Sequence, residues 1–271
     1  MESSSHSISC RHRRHRLAPR QATPIHKGPV NCELKIEWAG QGCVWSAAMA
    51  QVVLFDIDGT LISTGGAGVR AFGRVFETEF GVANACANTI FAGRTDRGLA
   101  SDILSEHGLG VSGENIGRIF RGYLHWLEEY LPDDHHEPLP GVRDLLAGLR
   151  ALSAPPVVGL LTGNHPEGAR RKLEHFGLWD EFAWGAFGDI HEDRDDVARY
   201  ALKLAREQLG AELNPGEILI VGDTERDIQC ARAIGARVLA VATGNETAAD
   251  LGRHNPDLLV NSLVEVCAAD L

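Results

Sequence analysis

The sequence predicts an α/β protein built on a doubly wound parallel sheet with an all-helical insert after the first strand. Short apolar runs recur along the chain, and amphipathic helical segments alternate with them. Between the first two runs the spacing is too long for a simple crossover, and that gap holds several helical stretches and no convincing strand.

The first run is Val52 to Phe55, four apolar residues ending at Asp56. A continuous apolar run suits a strand buried on both faces, as in a parallel sheet. Similar runs stand at Val157–Leu161, Ile218–Val221 and Val238–Val241, with a shorter one near Phe182–Ala186. Helical patterns fall at Gly141–Leu152, at Pro166–Phe176 with proline near its first turn, at Asp195–Leu209, and at Asp227–Ile234 before Gly235. In the long gap, Ile116, Ile119, Phe120, Tyr123, Leu127 and Leu131 repeat at one face of an amphipathic helix. Residues 68–137 are therefore expected to form a helical unit over the carboxyl edge of a sheet built from 49–67 and 138–271. Ligands bind at that edge in open α/β sheets.

Composition narrows the partners. Of 271 residues, 44% are hydrophobic and 6% aromatic, enough for a sizeable core. Residues 1–48 hold seven Lys/Arg against three acids, a charge of +4, so the net −11 leaves −15 on the rest. An acidic body repels nucleic acid and anionic membranes, and neither is expected as a partner. No apolar run is long enough to span a bilayer. The six cysteines form no CxxC pair, which fits reduced thiols in a cytoplasmic protein. Residues 1–48 are Ser-, Arg- and His-rich without apolar periodicity, so they are expected to be disordered. A transit peptide, a basic arm, and an over-long reading frame preceding Met49 are the three readings of that stretch.

The chemistry concentrates at strand ends. Asp56 and Asp58 in Asp56-Ile57-Asp58-Gly59-Thr60 follow the first apolar run, and two carboxylates there are costly unless something positive binds them. A hard divalent cation with oxygen ligands meets that need, and Mg²⁺ suits a pair of carboxylates plus a substrate phosphate. Val158–Leu161 leads to Thr162-Gly163-Asn164, a hydroxyl and backbone N–H groups at a helix entrance, where a phosphate can bind. Ile218–Val221 leads to Gly222-Asp223-Thr224-Glu225-Arg226-Asp227, with Glu225 read as a solvated neighbour. The segment Asp133-Asp134-His135-His136-Glu137 has metal-binding residue types but sits on a proline-flanked linker with nothing to fix its geometry.

The stretch VLFDIDGTL resembles the first motif of the haloacid dehalogenase-like (HAD) hydrolases, and LLTGN and GDTERD resemble the second and fourth. The resemblance covers Ala50 to Leu271 and implies a Rossmann-like core with Asp56 as nucleophile and Asp58 as general acid and base. It also implies Thr162, Gly163 and Asn164 on the phosphate, and Mg²⁺ held by Asp56, Asp58, Asp223 and Asp227. The third motif departs from the family, which carries Lys there. Arg194 is the cation placed before the next helix, Arg171 is its rival, and Arg is not equivalent to Lys. The helical insert resembles the caps of phosphoglycolate-phosphatase-like members. Arg94 in Gly93-Arg94-Thr95-Asp96 is expected either to contact a substrate's distal anion or to belong to a turn capped by Thr95 or Asp96. The implied activity is hydrolysis of a small phosphorylated metabolite by a monomer or homodimer. A phosphomutase remains open. The acidic set argues against a haloacid dehalogenase and against a non-catalytic phosphate binder. The absence of lysine from 68–138 argues against a phosphonate hydrolase.

Overall fold

The computed structural model describes residues 49–131 and 137–271. The readings of 1–48 and of the Asp133–His136 segment lie outside the described residues. Among the described residues, six parallel strands form one sheet in the order β3-β2-β1-β4-β5-β6. They are β1 (Val52–Phe55), β2 (Val157–Leu161), β3 (Gly185–Ala186), β4 (Ile218–Gly222), β5 (Arg237–Val241) and β6 (Leu258–Val260). β1 lies between β2 and β4, with Phe55 beside Leu160 on one side and Val221 on the other.

The alternation of side chains along β1 builds two core layers. Val53 and Phe55 pack with Leu145, Leu149 and Leu173, from α4 (Val142–Arg150) and α5 (Pro166–His175). Val52 and Leu54 pack on the opposite face with Val197, Ala201 and Ile228, from α6 (Arg194–Leu209) and α7 (Glu225–Ile234). Every residue of β1 is buried, as the unbroken apolar run requires.

Among the described residues, three helices intervene between β1 and α4: α1 (Ala67–Phe80), α2 (Asp96–Glu106) and α3 (Gly113–Tyr130). They bury a separate cluster in which Phe72, Phe76, Leu99, Ile103, Ile119 and Leu127 meet. The periodicity read from Ile116 onward is the face that enters this cluster. A short α8 (Ala248–Gly252) and β6 complete the sheet's far edge. Neither was expected. β6 pairs on one side only and is three residues long, too short to present a period of its own.

Candidate active site

The ends of β1, β2 and β4 converge at the crevice where strand order reverses, and each delivers one polar residue there. Asp56 follows β1, Thr162 follows β2, and Asp223 follows β4. The backbone of Asp56 stays in register with the sheet by donating its N–H to the Val221 carbonyl at 2.9 Å. All three residues are buried. They border a cavity of about 370 Å³, room for a small metabolite.

Asp56, Asp223 and Asp227 each bring a carboxylate oxygen within 4.8 Å of the others. Each is held by a different device. Asp223 Oδ1 accepts from Thr60 Oγ1 at 2.9 Å. Asp227, in the first turn of α7, accepts from the backbone N–H and hydroxyl of Thr224 at 3.0 and 2.7 Å, a reciprocal helix cap. Asp56 rests on Arg194, whose Nη2 lies 2.9 Å from Asp56 Oδ2 and 2.5 Å from Asp227 Oδ1. Burial raises the Asp56 carboxyl to about 6, with Asp227 pushing the same way and Arg194 pulling back. Burial likewise raises Asp223 well above the usual carboxylate range, and the charges of Asp227 and Asp56 add to it. Three buried carboxylates thus face one guanidinium. Such an excess of hard oxygen donors fits a divalent cation of the Mg²⁺ type.

Asp58 departs from the metal grouping read in the sequence. Its carboxylate stands outside that cluster, because Lys172 Nζ and Asn164 Nδ2 engage Asp58 Oδ2 at 2.6 and 2.9 Å. Asn164 is doubly occupied: Oδ1 accepts from Lys172 at 2.7 Å, and Nδ2 also reaches Thr162 Oγ1 at 2.8 Å. The Thr162 hydroxyl retains its own proton to donate.

Lys172 belongs to no motif of the sequence and follows Arg171 on α5. Yet Ala169, Leu173 and Phe176 are buried, and position 172 shares their helical face. A lysine on an apolar helix face is the signal that was there to be used. Arg171 itself points away, to Glu167, Glu128 and the Leu124 carbonyl. Arg194 is buried beside Asp56 and Asp227.

The Gly93-Arg94-Thr95-Asp96 segment lies directly on the Thr162–Asn164 turn. Thr95 caps α2 by accepting from the Gly98 N–H, and its hydroxyl donates to the Glu192 carbonyl. Asp96 N–H donates to the Gly163 carbonyl at 2.7 Å, Arg97 N–H donates to the Gly188 carbonyl at 2.9 Å, and the Asp96 carboxylate accepts from His165 N–H at 2.7 Å. A Cβ on Gly163 would overlap the Arg94 carbonyl, so only glycine allows this approach. The turn-and-cap expectation for Thr95 describes what is seen. Arg94 nonetheless borders the cavity, and its guanidinium pairs with the exposed Asp102. His165 caps α5 and packs on Phe120.

The profile of the family described as haloacid dehalogenase-like hydrolase matches residues 50–235. Among curated proteins, phosphoglycolate phosphatase of Chromobacterium violaceum is 36% identical over 148 residues, which is 54% of this chain and 63% of that relative. Phosphoglycolate phosphatase of Rhodospirillum rubrum is 29% identical over 213 residues, covering 75% of this chain and 85% of its own length. Among solved structures, CbbY from Rhodobacter sphaeroides in complex with phosphate superposes with a TM-score of 0.61 at 20% identity, over 82% of this chain and all of that one. With the profile spanning more than half its length, the chain belongs to the haloacid dehalogenase-like hydrolase family.

Proposed function

We propose that this chain is a Mg²⁺-dependent phosphatase that hydrolyses small phosphorylated metabolites through an aspartyl-phosphate on Asp56. The observation that carries this reading is the separate engagement of the two first-motif carboxylates. Asp56 lies against a guanidinium inside the acidic cluster, and Asp58 lies outside it on an ammonium and an amide.

In the first step an Asp56 oxygen attacks phosphorus and the ester oxygen departs. Asp58, in its protonated form, supplies the proton to that leaving oxygen. In the second step Asp58, now a carboxylate, takes a proton from the water that attacks the acyl phosphate. The Thr162 hydroxyl and the backbone N–H groups of the following turn bind the non-bridging oxygens, and Arg194 offsets the charge beside Asp56. Asp56, Asp223 and Asp227 would hold Mg²⁺, which when bound supplies further charge neutralisation at the phosphoryl group.

Residues 68–137 act in this reading as a cap that closes over the phosphoryl site. Val69, Phe72, Phe91 and Leu99 give the cavity an apolar wall, and Arg94 gives it a cation for a second anionic group on the substrate. Phosphoglycolate, the substrate named for both curated relatives, has a carboxylate at the distance of a two-carbon acid and belongs at the head of a panel that also includes sugar phosphates and nucleotides.

The test is direct. The full chain with Mg²⁺ is mixed with each phosphate ester, and a mass gain of one phosphoryl group on Asp56 is sought in acid-quenched samples. Phosphate release with a labelled Asp56 is expected. Release without any phosphoenzyme in rapid-quench samples, or no release from any ester, overturns the reading.

A further inference from the structure

We propose that Lys172 is a positioning residue, whose ammonium holds the Asp58 carboxylate in place and ties that place to Tyr123 of the helical insert. The inference rests on the acid–base role given to Asp58 above.

An ammonium has three N–H donors and no acceptor. Lys172 places two of them on Asp58 Oδ2 at 2.6 Å and on Asn164 Oδ1 at 2.7 Å. The Tyr123 hydroxyl faces the same spot: a Cβ on Gly68 would meet Lys172 Nζ at 3.6 Å and the Tyr123 oxygen at 3.8 Å. The loop after β1, the turn after β2 and helix α3 thus meet around this ammonium. Lys172 is 4% exposed and Tyr123 is 1% exposed, whereas the Asp58 side chain is 41% exposed. The carboxylate that must move a proton is thus the partner that solvent and substrate can reach, and the ammonium that holds it is buried. Lysine is almost never fully buried without such pairing.

Packing supports the same arrangement. Gly168, one turn before Lys172 on α5, lets the ring of Tyr123 cross the helix, since a Cβ there would meet Tyr123 Cε1 at 2.9 Å. Burial works against the charge on Lys172, and Asp58, Tyr123 and Asp96 more than restore it. Lys172 therefore stays cationic, with two of its donors on Asp58 and Asn164. Buried there, it acts through Asp58.

A group that places the proton donor, and does nothing else in the first step, has a distinct kinetic signature. Leaving groups of low pKa need no proton, so phosphorylation of Asp56 by 4-nitrophenyl phosphate should survive loss of Lys172. Alkyl ester cleavage and hydrolysis of the acyl phosphate should not.

The experiment compares wild type, Lys172→Met and Tyr123→Phe with 4-nitrophenyl phosphate and with an unactivated alkyl phosphate. For Lys172→Met, the first-turnover release of nitrophenolate is expected within about threefold of wild type, while steady-state turnover and alkyl ester kcat fall about 100-fold. Tyr123→Phe removes one hydroxyl and is expected to lower alkyl ester kcat about fivefold with the aryl first turnover unchanged. Equal loss in both measurements, or no loss in either, overturns the positioning role. If Lys172→Met does not fold, Tyr123→Phe decides, and unchanged alkyl turnover in it overturns the inference. A wild-type protein that forms no phosphoenzyme would instead sink the phosphatase reading, which keeps the two failures apart.

Discussion

Gly244 lies so close to Asp223 that a Cβ on it would overlap the Asp223 carboxylate. The loop after β5 is anchored in that position by Thr243 Oγ1, which donates to the Gly59 carbonyl at 2.6 Å. Backbone from two loops thus walls in one carboxylate of the acidic cluster.

Gly244→Ala should accordingly act on the cluster and leave the fold intact. The methyl group has to displace the Asp223 carboxylate or the loop, because it would overlap Asp223 Oδ2. The expected outcome is a tenfold or greater rise in the Mg²⁺ concentration that half-saturates the protein. Isothermal titration of Mg²⁺ measures this directly, without substrate. In wild type, Mg²⁺ should raise the melting temperature, and in Asp223→Asn it should not.

The two aspartates of the first motif should fail differently. Asp56→Asn removes the nucleophile, and turnover should drop to background with no phosphoenzyme. Asp58→Asn keeps the nucleophile and loses the proton donor and base. Slow labelling of Asp56 by an activated aryl phosphate should therefore persist, with breakdown of the label as the slow step. Substantial turnover by Asp56→Asn would refute a covalent route.

Arg94→Ala tests whether the insert selects the substrate. Its pairing with Asp102 is partly exposed, and such pairs contribute little, so the guanidinium is available to a ligand anion at small cost. KM for a carboxylated phosphate ester should rise about tenfold, and an aryl phosphate without a carboxylate should be nearly unaffected. Equal damage to both would make Arg94 a structural residue.

Asp96 predicts a pH effect on stability. Burial raises its carboxyl to about 6; Lys172 and the His165 N–H pull it back, and Asp58 and Asp189 add to the rise. Because the folded value exceeds the unfolded one, the native state binds this proton more tightly. The resulting stability is full below about pH 4 and is lost as pH rises through about 6. Asp96→Asn lacks that loss. Its unfolding free energy relative to wild type should improve by on the order of 2 kcal/mol between pH 4 and pH 7, measured by denaturant titration. A flat difference would mean that Asp96 ionises normally.

The residues legible in the sequence are those whose position is fixed by a strand end. Asp56, Thr162 and Asp223 each follow a continuous apolar run, so their placement is readable from pattern, while their joint role is implied by the resemblance to the hydrolase motifs. Arg194 is singled out by the same resemblance, as the cation before the helix that precedes the fourth motif. Lys172 is not, because its role depends on which face of α5 turns inward, and the adjacent Arg170 and Arg171 obscure that face. Tyr123 was placed on the correct helical stripe, but a stripe does not say that a hydroxyl at its edge meets an ammonium from another element. The separation of Asp58 from the acidic cluster was equally out of reach. It is set by Asn164 and Lys172, 106 and 114 residues away in the chain.

The contacts between the Thr95–Arg97 segment and the sheet's loops also bear on how fast a ligand can arrive. Among the described residues, four hydrogen bonds cross that seam: Asp96 to Gly163, Arg97 to Gly188, His165 to Asp96, and Thr95 to Glu192. At a net worth of about 1 kcal/mol each, parting these four alone limits the open population to at most about one molecule in a thousand. A ligand that enters only through the parted seam then associates about a thousandfold more slowly than its encounter rate. That ceiling is set largely by main-chain groups, which no exchange of a catalytic side chain would lift.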